Sequence, residues 1–176
     1  MDIIKSSIYD FGNSEDNLSR LSSELGSLYG VSIVFRSFAF REKACSFTID
    51  TLQSLYSLDT FSDQYLKFFF ENFGDNKSLL IPSGVIELYD FEKSKISITD
   101  FFYDDKSGIS TNNMNELVLK FWEEVGSHIL LPPTRVYLHD PSEDSYFYSW
   151  SVWSFCFIYL NDETNQGLVI SASASD

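Results

Sequence analysis

The chain has 176 residues, of which 44% are hydrophobic and 17% aromatic, and its 26 acidic residues against 12 basic ones give a net charge of -14. Such a composition can bury the core of one ordinary domain and excludes a disordered chain. A field of that sign repels nucleic acid and anionic membrane, and it speeds encounter with a basic partner.

The N-terminus "MDIIKSSIYDFGNSEDNLSR" has no basic start followed by an apolar run, so no secretory signal is expected. In "NSEDNLSRLSSELGSLYG", Leu18, Leu21, Leu25 and Leu28 fall at helical spacing. Asn13 or Ser14 can cap that helix and Gly30 can stop it. "VSIVFRSFAF" and "ACSFTID" read as strands flanking "REK", which predicts a hairpin between Val31 and Asp50. A second helix is expected in "TFSDQYLKFFFENFG", where Phe61, Tyr65, Phe68, Phe69 and Phe73 form an apolar stripe between Ser62 and Gly74. "GVIELYDF" and "KISITDFF" flank "EKS" and predict a second hairpin between Gly84 and Phe102.

The clearest helix lies in "NNMNELVLKFWEEVG". Met114, Leu117, Val118, Phe121, Trp122 and Val125 make its apolar stripe, and Gly126 is expected to close it. A short strand, "TRVYLHD", follows the paired prolines of "LLPP". The last two strands are "SYFYSWSVWSFCFIYL" and "GLVISAS", joined by "NDETNQ". The aromatic alternation of the first of these slips by one near Val152 and Trp153, as a β-bulge would make it do. Core burial explains the aromatics after that slip. Those before it are Tyr- and Ser-rich, and tyrosine suits an interface. The expected fold is α+β, one domain over residues 1–176, with a mainly antiparallel sheet and about three helices packed on it.

No motif names a reaction. The eight glycines form no phosphate-binding pattern, and no nucleophile elbow is present. His139, Asp140, Glu143 and Asp144 lack any metal-ligand spacing, and "HDPSED" reads as a polar loop. Cys45 and Cys156 lie in strand-like runs and read as reduced core thiols; whether they meet in space is open. The run from Trp150 to Leu160 is broken by serines and is too short to span a bilayer. No catalytic residue, cofactor, metal, nucleic acid or membrane is therefore expected, and the compartment reads as cytoplasmic.

Two clusters mix acids with aromatics. Asp100, Tyr103, Asp104 and Asp105 form the first, and Asp140, Glu143, Asp144, Tyr146 and Tyr148 the second. Charge steers a cationic partner and aromatics anchor it, so these nine residues are the expected partner-binding set. Glu123 and Glu124 read as an ordinary solvated helix end.

The whole profile, a small acidic α+β chain with no catalytic constellation, resembles the immunity proteins of bacterial polymorphic and contact-dependent toxin systems. A narrower likeness, in "DQYLKFFFENFGDN" followed by "ELYDFE", is to the immunity superfamily related to a yeast cell-wall regulator. The resemblance implies a non-catalytic protein that neutralises a basic toxin domain, such as a nuclease. The same profile is similar to type III secretion chaperones and to acidic mimics of nucleic acid.

Overall fold

The computed structural model describes residues 1–10, 32–42, 45–56, 67, 71, 74, 81–103, 111–142 and 153–174. They form an α+β fold around one sheet. Its strands are β1 (Asp2–Asp10), β2 (Ser32–Arg41), β3 (Gly84–Tyr89), β4 (Arg135–Pro141), β5 (Trp153–Asn161) and β6 (Gln166–Ala174). Their order across the sheet is β1-β2-β6-β5-β4-β3, with every neighbouring pair antiparallel. Three helices have described bounds: α1 (Ile49–Leu55), α2 (Phe91–Tyr103) and α3 (Thr111–His128).

Both faces of the sheet are covered, and the strands carry apolar residues in both phases of their alternation. Ile33 and Phe35 on β2, Phe157 and Tyr159 on β5, and Leu168 and Ile170 on β6 pack under α2 and α3. The intervening residues Phe38, Phe40, Ile158, Leu160 and Val169 pack on the opposite face with Phe47, Tyr56 and the leucines of α1. Strands buried on both faces read as continuous apolar runs, and this accounts for the density of "FCFIYL".

The third expected helix is present as α3. Met114, Leu117, Phe121 and Val125 are buried on the sheet, and Trp122 packs at the margin of the same cluster. The helix does not stop at Gly126 but runs on to His128. The expected pairing of the last two strands also stands, in register from Trp153↔Ala174 to Asn161↔Gln166. Asn161 makes the turn between them. Its side-chain oxygen accepts from the backbone N–H groups of Glu163 and Thr164, both at 3.1 Å.

Two expected hairpins are overturned. β2 pairs with β1 and β6, and residues 45–48 form no strand. From Ile49 the chain is helical, because Thr48 accepts from the N–H of Thr51 and caps the first turn. Ile49, Leu52 and Leu55 then fall on one side and pack into the lower core. In the second case β3 is followed by α2, where a strand was expected over "KISITDFF". Asp90 accepts from the N–H of Lys93 at 2.9 Å and starts the helix. Ser94, Ile98, Phe101 and Phe102 are buried at helical spacing, whereas Ile96, which a strand would have placed beside Ile98, is 60% exposed.

β1 is a strand that sequence patterning did not reveal. Cys45 lies outside any strand, and both Cys45 and Cys156 are free thiols. The expected helix over residues 13–30 and the bulge near Val152 lie outside the described residues. Of the expected helix over residues 60–74, Lys67 and Glu71 are helical.

Candidate partner-binding surface

Helix α2 runs antiparallel to β5 across the upper face of the sheet. Near its start, Phe91 meets Tyr159 edge to face at 5.5 Å and the Ser94 hydroxyl lies 2.7 Å from that of Tyr159. Near its end, Phe101 meets Phe155 at 5.0 Å. Strand β4 also runs opposite to β5, from Arg135↔Leu160 to Leu138↔Phe157. The end of α2 and the end of β4 therefore lie over the same end of the sheet, where β5 begins. Asp100 and Tyr103 sit at the first of these ends, and Asp140 at the second.

The exposed side of α2 carries Glu92, Ile96, Asp100 and Tyr103, at i, i+4, i+8 and i+11. All four are exposed, in the order acid, apolar, acid, aromatic. Glu92 holds Lys95 at 3.2 Å, and Lys95 also lies 5.4 Å from the Phe91 ring centre. Asp100 has no ion-pair partner among the described residues. The phenol of Tyr103 donates to Oδ1 of Asn115, which ties the end of α2 to α3. On α3 two of the three acids are answered locally. Glu116 pairs with Lys120 at 3.1 Å and Glu124 with His128 at 3.0 Å.

Asp140 is exposed and stands opposite Val85 of the edge strand β3. The corner below it is tightly built. Gly84 has φ +123°, and a Cβ there would lie 2.1 Å from the carbonyl oxygen of Asp140. The Ser142 N–H donates to the Ser83 carbonyl at 3.2 Å, and the two serine hydroxyls meet at 2.6 Å. His139 donates Nε2–H to the same carbonyl at 3.0 Å, and burial pushes its pKa below the ordinary value of 6.5. A buried imidazole that spends its N–H on a backbone carbonyl serves the fold.

The structure thus brings Asp100 and Tyr103 to the same end of the sheet as Asp140, and it places Asp100 on a helix. Asp104, Asp105, Glu143, Asp144, Tyr146 and Tyr148 lie outside the described residues. Two members of the surface, Glu92 and Ile96, were missed by sequence reasoning. Their signal is the four-residue spacing to Asp100, visible only once the segment is read as a helix.

Asp162, at the turn after β5, is engaged within the molecule. Its carboxylate takes a two-pronged contact from Arg135, 2.9 Å from Nε and 2.6 Å from Nη2, and a third from the Thr134 hydroxyl. Among the described residues no group of three or more His, Cys, Asp or Glu side chains could hold a metal ion. A shallow cleft of about 660 Å³ lies along β1, bordered by Asp2, Lys5, Arg41 and Ser54. No described helix is long and apolar enough to cross a membrane.

The arrangement defines a class, a six-stranded antiparallel sheet with helices on both faces and an acidic, aromatic surface at one end. No protein-family model and no curated protein matches the chain. Among solved structures it is similar to citrus MAF1. In one crystal form the TM-score is 0.50 at 13% identity, over 90% of this chain and 98% of that one. In a second form it is 0.44 at 17% identity, over 91% and 99%. Likeness at such identity is a likeness of fold.

Proposed function

We propose that the chain is a non-catalytic acidic protein that binds a basic partner through the outer side of α2 and the adjoining end of the sheet. The observation that carries this reading is the stripe Glu92–Ile96–Asp100–Tyr103, with Asp140 at the same end of the fold. Two of its acids, Asp100 and Asp140, have no ion-pair partner among the described residues, so their field is available to a partner. Ile96 and Tyr103 supply apolar and aromatic area for holding on. Neutralisation of a basic toxin domain is the narrower form of this reading, and its support is the -14 charge of the whole chain.

The test is capture of binding partners by the purified chain, followed by kinetics with the purified partner. The expected partner is basic, and its association slows as salt rises, because the Debye length falls from about 10 Å at 0.1 M to about 3 Å at 1 M. Asp100→Lys should lower the association rate, and Ile96→Glu should speed dissociation. An acidic partner, salt-independent association, or unchanged kinetics in both variants overturns the reading. For the narrower form, the chain is co-expressed with a toxin domain encoded beside it, and failure to restore growth removes that form alone.

A second reading is favoured by the coverage of the fold likeness, 90% of this chain and 98% of citrus MAF1 at a TM-score of 0.50. In it the chain is a counterpart of MAF1 in its own cell. Expression in cells lacking their own MAF1 tests it: recovery of the wild-type phenotype is expected, and no recovery from a folded, abundant protein removes the reading.

A further inference from the structure

We propose that the edge strand β3 takes an extended, lysine- or arginine-bearing segment of the basic partner as an additional strand. This rests on the reading of the chain as an acidic binding protein and specifies how part of the partner is held.

The sheet has two edges, and they differ. Natural edge strands are protected from pairing by bulges, by lysines and by prolines. β1 shows two of these devices. Its register with β2 shifts between Ile3 and Lys5, so that Ile4 bulges out at 53% exposed, and Lys5 follows it. β3 shows none of them. Its six residues "GVIELY" pair with β4 in unbroken register from Gly84↔Pro141 to Tyr89↔Val136. Among the described residues nothing pairs with its outer side. Six residues span about 20 Å, the length of an ordinary strand pairing.

The side chains of that edge say what would fit. Val85 and Glu87 stand on the face shared with α2, since Tyr89 in the same phase packs on Phe157. Val85 is 54% exposed, and Asp140 stands opposite it on β4. Ile86 and Leu88 stand on the other face, where Leu88 is 72% exposed and Ile86 packs on the lower core. Asp90 and Glu92 follow directly. An added strand would therefore meet Val85 and the Glu87 carboxylate on one of its faces, with Asp140 one strand further in, and the aliphatic Leu88 on the other. The complementary sequence alternates a basic residue with an apolar one. A second copy of this chain is disfavoured as the occupant, because each copy carries -14 charges and the same acidic edge. Backbone pairing with alternate side-chain reading is a recurrent mode of peptide capture.

The probe is an eight-residue peptide alternating lysine and valine, acetylated and amidated, titrated against the whole chain at 0.1 M salt. Hydrogen exchange is expected to slow at least tenfold at the outward amides of residues 84–89. N-methylation of alternate peptide amides, which removes the ladder donors and keeps the charge, should weaken binding at least tenfold. Glu87→Lys should weaken it about fivefold. The proposal is overturned if the peptide does not bind, if the N-methylated form binds equally well, or if protection arises on α2 with none on β3. In any of these cases, a captured basic protein that still responds to Asp100→Lys and Ile96→Glu leaves the wider reading standing. Edge binding of the peptide by a chain with no basic partner gives the converse, strand capture without that reading.

Discussion

The side-chain oxygens of Ser94 on α2 and Tyr159 on β5 lie 2.7 Å apart, both buried, at the point where the helix crosses the sheet. Ser94 also lies 2.7 Å from the Phe91 carbonyl and gives its single proton there, so Tyr159 is the donor between the two hydroxyls. Ser94→Ala removes the acceptor and strands a buried phenol, and Tyr159→Phe removes the donor. Each should cost about 1–3 kcal/mol. The double variant should cost less than the sum of the two, because it leaves no phenol without a partner. Urea unfolding of the four proteins checks this, and strict additivity would mean that the contact contributes nothing.

Phe121 is fully buried at the centre of α3, with ring contacts to Phe35 at 5.6 Å, Phe102 at 5.1 Å and Trp122 at 5.3 Å. It joins β2, α2 and α3 in one cluster. Phe121→Ala should destabilise the fold by about 3–5 kcal/mol through lost burial and the cavity left behind. A loss below about 1 kcal/mol in denaturant unfolding would contradict that packing.

The parts of this fold that were legible in sequence share a property. In α3 and in the β5–β6 pair one periodicity dominates over many residues. The hairpin errors arose where two periodicities competed. "KISITDFF" alternates well enough for a strand, yet Ile98, Phe101 and Phe102 also fit a helix, and the side-chain cap at Asp90 decides between them. Near Thr48 the capping hydroxyl again outweighs β-branched residues that suggest a strand. β1 was missed because "DIIKSS" alternates on neither face and its pairing is interrupted by the shift at Ile3 and Lys5. The candidate surface was half legible: Asp100 and Tyr103 stand out by composition, while Glu92 and Ile96 join them only through the helix.

Two glycines should respond with opposite sign to the same change. At Gly84 the backbone has φ +123° and a Cβ would strike the Asp140 carbonyl, so Gly84→Ala should destabilise by more than about 2 kcal/mol. Gly126 lies inside α3 with nothing within 4 Å of the added carbon. Gly126→Ala should stabilise by about 0.5–1 kcal/mol, because it restricts the unfolded chain and suits the helix. Melting and urea midpoints read both effects, and two changes of the same sign would contradict this account of the pair.

The pH dependence of stability should show an acid limb set by buried His139 and an alkaline limb set by buried Tyr56, Cys156 and Tyr159. Burial lowers the pKa of His139, so below about pH 6.5 the unfolded chain binds a proton that the folded chain refuses. Stability should therefore fall as pH drops through that value. Burial raises Tyr56 from 10.0 to about 12; Cys156 adds to the rise, while Arg36 and Ser171 oppose it. The Arg36 guanidinium lies 3.8 Å from the centre of the Tyr56 ring and donates to the Leu55 carbonyl at 3.2 Å. Burial likewise pushes the Cys156 thiol up from 9.0 to about 12 and raises the Tyr159 phenol above 10.0. Above about pH 9 the unfolded chain therefore loses protons that the folded chain keeps, and stability should fall again as pH rises. His139→Gln should flatten the acid limb between about pH 6.5 and 5.5, above the range where ordinary carboxylates titrate. Tyr56→Phe should make the alkaline limb shallower, since Cys156 and Tyr159 still contribute to it, and leave the acid limb in place. Urea midpoints collected from pH 5 to 11 give both limbs, and an acid limb unchanged in His139→Gln would mean that another group sets it.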